Sequence, residues 1–484
     1  MQTGYRFRLY PSREQVSILW RWIGCQRFIY NAKVSEDRYF RAFARKSLQH
    51  VGLHAPQDQQ YSHFITEQTT WLREVPSQVL RNGAVRWKQA YSRFYKQLAA
   101  RPRIQKRHGV QSVWLTSELF RFEPVTDTNT GENTGYRLLV GTRKYPVGEL
   151  AFKAHRQHGI PASITLSVDA GRWYLSFTED NGVALPSEQG IANWLAALSE
   201  AELTERTVGF DRGVVTPIAG SNGMSFALSD IQQARLDKKE RTTRRWQRKL
   251  ARRTPGGANH RKAKQRIAGC KAYGKNVRRD FAHQTSHRIV ADPHTLLIVW
   301  EALGVRRMTR RPKAKQDESG HWAKNGARAK AGLNRSILAS AWGQTKTYTQ
   351  YKAIRAGKLA IEVAPHHTSQ ECARCGHTHP DNRLSQAAFA CQRCGHAENA
   401  DLNASRNIRR RGVEAILTGS YRQKASKTVM RMRKKLLGAD CSEVTSVETT
   451  VSRGAGNGTA HRSTKQKGRA VRPTETPTTT ASEV

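Results

Sequence analysis

Apolar and polar residues alternate at the start of the chain and then change to a helical spacing. Residues 5–10 alternate as a strand does, and the alternation stops at Pro11. Ser12, followed three places later by Gln15, predicts a capping box that opens a helix. The apolar face of that helix is predicted to contain Val16, Leu19, Trp20 and Ile23.

A second helical block follows a polar loop at residues 54–60. Its apolar and aromatic positions recur at intervals of three and four residues: Val79, Leu80, Gly83, Trp87, Tyr91, Phe94 and Tyr95. This spacing is typical of a face that packs against other helices. Basic side chains lie between these positions, and we expect them to face a phosphate backbone.

From residue 113 to about residue 180 the pattern becomes that of short strands, with a hairpin turn at residues 169–172. The N-terminal strand has no local partner, so we expect it to join this sheet. The predicted result is a small β-barrel that carries the helical block as an insertion. Residues 180–205 are predicted to be a linker with a short helix around Trp194.

The second half of the chain alternates between strands and polar helices. Two strands bent at Arg212 and Gly213 are predicted within residues 207–218, and a turn at residues 221–223 leads into a third. A long basic helical stretch at residues 228–279 breaks at residues 255–257. The apolar run at residues 296–300 predicts a strand buried on both faces. A helix is predicted at residues 334–356 and a strand at residues 358–363.

Composition narrows the class of protein. Lys and Arg number 82 and Asp and Glu 38, and 82 − 38 gives a formal net charge of +44. Nucleic acid is the natural partner for such an excess, because the release of counterions drives binding. No apolar run approaches the roughly 18 residues of a membrane-spanning helix, and residues 1–15 lack the apolar centre of a signal peptide. We therefore expect an intracellular protein without a membrane partner.

Four cysteines have the spacing of a metal site. Cys372, Cys375, Cys391 and Cys394 follow the order C-x2-C-x15-C-x2-C, which is typical of a zinc ribbon. Two disulfides are the alternative, and the single, scattered positions of the remaining cysteines disfavour it. Four thiolates close a tetrahedral site and leave no position open for chemistry, so the zinc is predicted to be structural.

Three acidic residues follow or open predicted buried elements. Asp211 ends the strand at residues 208–210, Glu301 ends the strand at residues 296–300, and Asp401 opens a helix at residues 402–410. A buried carboxylate at a strand end is costly unless a cation pairs with it. Two Mg²⁺ or Mn²⁺ ions about 4 Å apart would satisfy these oxygens and could hydrolyse a phosphodiester. For Asp401 alone, a helix cap or salt bridge is the better interpretation; for all three together it is not.

The chain resembles the TnpB (OrfB) family, which insertion sequences encode and which is related to the type V CRISPR effectors. The resemblance spans most of residues 1–410 in the family's order. It is carried by residues 5–11 (YRFRLYP), 208–213 (VGFDRG), 278–283 (RRDFAH), 298–301 (IVWE), 332–337 (GLNRSI), 368–376 (TSQECARCG) and 400–404 (ADLNA).

This resemblance implies an α/β multidomain protein with an RNase H-like (RuvC) nuclease domain that is split in sequence. Asp211, Glu301 and Asp401 match the first, second and third catalytic acids of the family, and the four cysteines match its zinc ribbon. The β-barrel matches the family's wedge domain, and the helical insertion matches its recognition lobe. The expected boundaries are 1–12 and 113–182 for the wedge, 13–112 for the recognition lobe, 183–365 and 397–412 for the nuclease domain, 366–396 for the ribbon, and 413–484 for a basic tail.

Two positions depart from the family pattern. Glu301 is followed by Ala302 and Leu303, where the family often has Asp and Leu, and Phe210 stands where a smaller aliphatic residue is common. Neither change removes a metal ligand. We therefore expect activity with altered packing beside the metals.

The implied function is that of an RNA-guided DNA endonuclease associated with a transposable element. Guide RNA and target DNA are the expected partners of a cytoplasmic, nucleoid-associated monomer, and base pairing selects the target. RNA-guided DNA binding without cleavage and strand transfer by a transposase are the alternatives. The intact acid triad disfavours the first, and the lack of a recognisable domain for transposon ends disfavours the second. The expected backbone contacts are Arg81, Arg86, Lys88, Arg244, Arg245, Arg278 and Arg279. Residues 446–484, rich in Thr, Ser and Gly, are expected to be disordered.

Overall fold

The computed structural model describes residues 2–44, 50–51, 58–107, 109–126, 133–180 and 182–421. The expected disordered segment at residues 446–484 lies outside these ranges, as does part of the polar loop at residues 54–60. Among the helices in the described ranges, none combines the length and apolar character that crossing a bilayer requires.

The helices and strands are numbered here in chain order. The helices are α1 (Arg13–Tyr39), α2 (Ser77–Tyr95), α3 (Glu188–Ala196), α4 (Glu200–Glu205), α5 (Asp230–Ala251), α6 (Ala258–Ala291), α7 (Val305–Met308), α8 (Ala327–Ala339), α9 (Trp342–Arg355) and α10 (Ala400–Leu417). The strands of the N-terminal part are β1 (Gln2–Leu9), β2 (Gln111–Thr116), β3 (Phe120–Thr126), β4 (Asn133–Gly141), β5 (Pro146–Glu149), β6 (Phe152–Lys153), β7 (Ser163–Asp169) and β8 (Arg172–Asp180). The remaining strands are β9 (Thr207–Asp211), β10 (Ile218–Gly220), β11 (Ser225–Phe226), β12 (Leu297–Glu301), β13 (Lys315–Gln316), β14 (Trp322–Ala323), β15 (Leu359–Val363), β16 (Ala388–Ala390) and β17 (Ala397–Asn399).

The first helix begins at the predicted capping box. The Ser12 hydroxyl accepts a hydrogen bond from the Gln15 amide at 3.2 Å, and the Gln15 side chain accepts one from the Ser12 amide at 2.9 Å. These two bonds satisfy amides that the first helical turn leaves without partners. The buried face differs at one position from the prediction. Trp20 is 42% exposed, whereas Trp22 is buried, because the helix turns Trp22 rather than Trp20 toward the core.

The second predicted helix is α2, and it packs on α1 as its spacing predicts. Val79, Leu80, Trp87 and Tyr91 are buried, while Tyr95 at the end of the helix is 55% exposed. The Tyr91 hydroxyl donates a hydrogen bond to Asp37 on α1 at 2.6 Å. The aromatic residues of this block therefore hold the two helices together.

The N-terminal strand joins the sheet formed by the strands after the helical block. The strand order is β2-β7-β8-β1-β6, and β1 pairs antiparallel with β8 from Gln2 opposite Asp180 to Leu9 opposite Trp173. Strands β3, β4 and β5 form a separate three-stranded sheet. The apolar side chains of both sheets and of α1 and α2 share one hydrophobic core. Closure of these strands into a barrel stays a prediction.

A second five-stranded sheet, which we call the central sheet, has the order β11-β10-β9-β12-β15. Strands β9, β12 and β15 are parallel, whereas β10 and β11 run antiparallel to their neighbours. One long crossover segment precedes β12 in the sequence and another follows it. The identification of this sheet as RNase H-like stays a prediction. All five residues of β12 are buried, as the apolar run predicts.

Helices cover both faces of the central sheet. Leu297 and Val299 of β12 pack with residues of α3, α4 and α10, whereas Ile298 and Trp300 pack with residues of α6 and α9. This division follows from the alternation of side chains along a strand. Burial on both faces explains why β12 shows no polar alternation in sequence.

Two segments, at residues 334–356 and 180–205, each contain one helix more than the sequence predicts. The segment predicted at residues 334–356 breaks at Ala341, which has a positive φ of 57°, so that α8 ends before α9 begins. The predicted linker at residues 180–205 contains α3 and also α4, each capped by a serine. The predicted basic segment divides into α5 and α6 at the expected Pro-Gly-Gly sequence, and α5 has no buried residue.

The last helix is longer than the sequence predicts. It runs to Leu417, with Val413 and Ile416 buried against the central sheet, so the expected tail boundary at residue 413 falls inside α10.

Gly209 lets α10 lie directly on β9. A Cβ at Gly209 would lie 2.3 Å from the Ser405 carbonyl oxygen and 2.4 Å from the Arg409 nitrogen. Both atoms belong to backbone that the packing holds in place. We expect Gly209→Ala to lower the free energy of unfolding by about 1–3 kcal/mol, measured by chemical denaturation. The control is Gly4→Ala in β1, where nothing lies within 4 Å of the added carbon. Equal stability of the two variants would contradict this close packing.

Candidate active site

Three acidic side chains reach one edge of the central sheet from separate parts of the chain. Asp211 and Glu301 end the parallel neighbours β9 and β12, in which Phe210 lies opposite Trp300 and stacks on its ring at 5.0 Å. Asp401 lies in the first turn of α10, which crosses β9. Its Oδ2 is 3.7 Å from the position that a Cβ on Gly213, two residues after Asp211, would occupy. The fold thus brings the three predicted acids to the same region.

Burial makes these three carboxylates hold protons more strongly than usual, and repulsion by the other two acids adds to this at Asp211. The pKa of Asp211 is raised to about 7, first by burial and then by the negative charges of Glu301 and Asp401, although the Arg212 amide donates to Asp211 Oδ1 at 2.7 Å. Burial also raises the pKa of Glu301, although hydrogen bonding from Thr368 opposes this, and burial raises the pKa of Asp401. A cation that binds among such carboxylates stabilises their charged form.

Three further side chains, which the sequence did not single out, surround the acids. The Thr368 hydroxyl donates to Glu301 Oε1 at 2.5 Å, and the buried Arg212 guanidinium donates to the Glu301 carbonyl oxygen. The charge of Arg383, in the ribbon, lowers the pKa of all three acids. Arg212 and Thr368 lie inside the segments that carry the family resemblance, and this position is the sequence signal that could have identified them. Arg383 lies between the two cysteine pairs, and no sequence pattern connects it with the acids.

Oxygen ligands and an unbalanced negative charge fit hard divalent cations. Carboxylates are the ligands that Mg²⁺ and Mn²⁺ prefer. Ligands of a two-ion site, whose ions lie about 4 Å apart, spread over a wider region than the ligands of one ion. Among the described His, Cys, Asp and Glu side chains, only the four cysteines form a group of three or more whose ligand atoms all lie within 4.8 Å of one another, so the three acids are not as compact as the ligands of a single ion.

The four cysteine sulfurs form the compact cluster that the spacing predicts. The Sγ atoms of Cys372 and Cys394 are 3.7 Å apart, and those of Cys375 and Cys391 are 3.6 Å apart. A tetrahedral zinc ion with bonds of about 2.3 Å requires sulfurs roughly 3.8 Å apart. The cluster therefore has the size that a zinc ion needs.

The two cysteine pairs share one backbone structure. In each, the glycine after the second cysteine has a positive φ, of 73° at Gly376 and 63° at Gly395. Each of these glycine amides donates to the carbonyl of the first cysteine of its pair, at 2.9 and 3.1 Å. Glycine adopts this conformation without steric cost, which explains the repeated C-x2-C-G sequence.

The ribbon holds the helix that carries Asp401. Asn399, the last residue of β17, caps α10 by accepting hydrogen bonds from the amides of Asp401 at 2.9 Å and Leu402 at 3.3 Å. The buried Asn403 and Asn407 of α10 donate to the Glu371 carbonyl oxygen, beside the first ribbon cysteine, at 2.7 and 2.6 Å. The position of Asp401 therefore depends on the ribbon.

The basic residues predicted to contact nucleic acid lie in different settings. Lys88 and Arg245 are exposed, whereas Arg278 and Arg279 are half-buried on α6. Three others have local partners. Arg81 pairs with Glu118 at 2.5 Å, Arg244 pairs with Glu240 at 2.5 Å, and the half-buried Arg86 donates to Ser112 at 3.5 Å. Their contact with nucleic acid stays a prediction.

The raised pKa of Asp211 predicts a pH-dependent stability. The folded pKa of about 7 exceeds the ordinary value of 3.8, so between these values the folded chain retains a proton that the unfolded chain has released. Asp211 therefore destabilises the fold increasingly as the pH rises to about 7. In magnesium-free buffer at pH 8 we expect Asp211→Asn to raise the free energy of unfolding by on the order of 3 kcal/mol, and this gain should vanish near pH 4.

Chemical denaturation at several pH values measures this difference. Asp280→Asn, at an exposed carboxylate on α6, is the control and should change stability equally at all of them. A gain for Asp211→Asn that is the same at pH 5 and pH 8 would rule out burial of its charge.

Three family models match successive parts of the chain. Their descriptions are "Helix-turn-helix domain" of the OrfB IS605 type for residues 1–38, "Probable transposase" of the same type for residues 187–311, and "Cas12f1-like, TNB domain" for residues 342–408. In this structure the first of these segments forms β1 and most of α1. The second segment contains Asp211 and Glu301, and the third contains the ribbon and Asp401.

The chain is also similar to two curated proteins over nearly their whole length. It is 28% identical to the putative RNA-guided DNA endonuclease InsQ of Escherichia coli K12, covering 87% of this chain and 94% of that protein. It is 26% identical to a putative RNA-guided DNA endonuclease of Streptomyces pristinaespiralis, covering 87% and 91%. A solved structure, described as that of the mini-RNA-guided endonuclease CRISPR-Cas phi3, matches with 11% identity and a TM-score of 0.42, covering 85% of this chain and 92% of that one.

The matched segments follow one another in the family's order and include the three acids and the four cysteines. Over these segments the chain is therefore similar to the TnpB (OrfB) proteins of IS605-type insertion sequences.

Proposed function

We propose that this protein is an RNA-guided DNA endonuclease that hydrolyses phosphodiester bonds at Asp211, Glu301 and Asp401. The observation that carries the proposal is the meeting of these three acids, one buried and two partly buried, at one sheet edge of a chain with a net charge of +44. The excess of positive charge suits a polyanionic substrate, and the acids suit the metal-dependent hydrolysis of one. Both curated relatives carry the name of this activity.

The three acids would hold two Mg²⁺ or Mn²⁺ ions. Such ions, when bound, activate a water molecule and stabilise the leaving oxygen of the phosphodiester. The chain's own groups prepare the site for this. Thr368 fixes one oxygen of Glu301, and Arg212 fixes the end of the strand that carries it. Arg383 places a positive charge beside the acids, where it would attract the scissile phosphate.

The cysteine cluster would hold one structural zinc ion. Its four sulfurs leave no open coordination position, so the zinc would not take part in hydrolysis. Its role would be to keep the ribbon folded, and through Asn399, Asn403 and Asn407 to keep Asp401 at the sheet edge.

The partners would be a guide RNA and a target DNA, bound by one copy of the chain at the nucleoid. Residues 183–365 and 397–412 would act as the nuclease domain, with residues 366–396 as its ribbon. The sheets of residues 1–12 and 113–182 would act as the wedge and residues 13–112 as the recognition lobe. Base pairing would select the target, while the protein reads the shape of the heteroduplex and a short flanking motif.

The test combines the purified protein with the RNA that co-purifies with it. That RNA is sequenced, and supercoiled plasmids carrying a matching target beside randomised flanking sequence are incubated with the complex in Mg²⁺. Nicked or linear products from matched plasmids alone are the expected result. A complex that shifts these plasmids in a gel without cutting them would instead be an RNA-guided binding protein, and strand-transfer products would identify a transposase.

A further inference from the structure

A basic pocket lies beside the ribbon, away from the candidate active site. It has a volume of about 930 Å³ and lies between α4, the turn after β10, the first cysteine pair and α10. Four arginines line it, and they are Arg374, Arg406, Arg409 and Arg410. A volume of this size accommodates a nucleotide unit.

The pocket lies on a different face of α10 from Asp401. At about 100° per residue, Arg406, Arg409 and Arg410 are turned from Asp401 by roughly 80 to 180° around the helix axis. The backbone of Arg409 contacts β9 at Gly209, whose amide donates at 3.1 Å to the hydroxyl of Ser221, another residue of the pocket wall. A nucleic-acid strand bound here would therefore be separate from the strand at the three acids.

The four arginines of the pocket differ in their ion pairs. Arg406 pairs with Glu398 at 3.1 Å, and Arg410 pairs with Glu371. For Arg374 and Arg409, no ion pair forms with any residue in the described part of the chain. Burial and the charge of Arg406 both lower the pKa of Arg409, which means that its charged form lacks a compensating anion. A phosphate group would supply that anion.

Acceptor groups beside these arginines favour RNA over DNA. The carboxylates of Glu200 and Glu414 and the hydroxyls of Thr204 and Ser221 also line the pocket. A carboxylate repels a phosphate, but it accepts a hydrogen bond from a ribose 2′-hydroxyl. DNA has no such hydroxyl, so these carboxylates would only weaken its binding.

We propose that this pocket binds the sugar–phosphate backbone of RNA, with Arg374 and Arg409 on a phosphate and Glu200 or Glu414 on a 2′-hydroxyl. The proposal rests on the proposed function in that it takes guide RNA as the partner. It adds a site for that RNA behind the helix that carries the third acid. RNA bound there would contact the ribbon and α10 together, and would stabilise the position of Asp401.

The test measures equilibrium binding of the full-length zinc-containing protein to a synthetic single-stranded RNA and to the DNA of the same sequence. We expect Arg374→Gln combined with Arg409→Gln to weaken RNA binding about tenfold and DNA binding much less. Loss of the one phosphate that both arginines contact should also reduce the slope of log K against log salt by roughly 0.7. Arg374→Gln alone changes an exposed residue and should give part of the same loss.

The matched control is Arg393→Gln. Arg393 occupies the same place in the second cysteine pair, and it is exposed outside the pocket. We expect it to leave RNA affinity unchanged. Glu414→Gln should strengthen DNA binding relative to RNA binding, because it removes the charge that repels phosphate without removing an arginine.

Three results would overturn the proposal. They are unchanged RNA affinity in a folded Arg374→Gln, Arg409→Gln protein, equal losses for RNA and DNA, or an equal loss in Arg393→Gln. Zinc content and thermal unfolding establish that the variants are folded. Cleavage is measured separately, so a wild-type protein that never cuts DNA would contradict the proposed function while the binding differences still test the pocket.

Discussion

Asp211→Ala is expected to reduce DNA cleavage about 10³-fold or more while leaving RNA binding nearly intact. Asp211 interacts electrostatically with both of the other acids, since the negative charges of Glu301 and Asp401 raise its pKa. Removing it takes a ligand away from the ions, and their stabilisation of the transition state is worth several kcal/mol. The substitution also removes a buried charge, so the fold should not suffer. Single-turnover cleavage of the matched plasmid in Mg²⁺ measures the effect.

The control for this variant is Asp280→Ala, at an exposed carboxylate on α6 whose partner is Gln284. It should cut at the wild-type rate. Binding of the co-purifying RNA, measured for each protein, separates lost chemistry from lost assembly. An Asp211→Ala protein that still cut at the wild-type rate would exclude this active site.

Cys391→Ser is expected to lose the zinc and, with it, both stability and cleavage. Structural zinc ions of this kind bind with apparent free energies of roughly 10 kcal/mol or more, and that energy contributes to folding. Without the zinc, the ribbon would no longer hold Asn399 and Glu371 in place, and the hydrogen bonds of these two residues position the start of α10. Metal analysis, thermal unfolding and the cleavage assay give the three readouts. Hydrogen exchange should become faster at the amides of Asp401 and Leu402.

Cys270→Ser is the matched control, because Cys270 is a half-exposed thiol outside the cluster. It should keep the zinc and the cleavage rate. A Cys391→Ser protein that had lost its zinc but cut DNA normally would show that the ribbon does not hold Asp401.

Residues in and beside the ribbon contact or act on all three acids of the candidate active site. Thr368 contacts Glu301, Arg383 acts on all three acids, and Asn399 caps the helix of Asp401. Through these contacts a structural metal in the ribbon would affect a site that it does not touch.

Several features were predictable because they depend on local chemistry. The capping box at Ser12, the hairpin at residues 169–172 and the break at residues 255–257 each depend on residues close in sequence. The cysteine spacing predicts its cluster for the same reason, since the hydrogen bond that shapes each C-x2-C-G turn joins residues close in sequence. The burial of β12 follows from its unbroken apolar run.

Other features depend on which elements meet in space, and local patterns do not encode this. The spacing of apolar residues does not decide whether Trp20 or Trp22 faces the core, and packing in the folded chain buries Trp22. The break at Ala341 gives no sequence signal, because alanine is a strong helix former and rarely adopts a positive φ. The continuation of α10 past residue 413 is another such feature, because Val413 and Ile416 are buried against the central sheet.

The sequence by itself determined that four cysteines have zinc-ribbon spacing and that three acids lie at the ends of buried elements. It also determined a net charge of +44, which suits a polyanionic partner. The tertiary structure decided how the acids act together, through burial that raises their pKa values and through Arg212, Thr368 and Arg383. It also decided that the ribbon holds α10 and forms the basic pocket behind it. The physical reason is that electrostatic coupling depends on distance and burial, which only the folded chain defines.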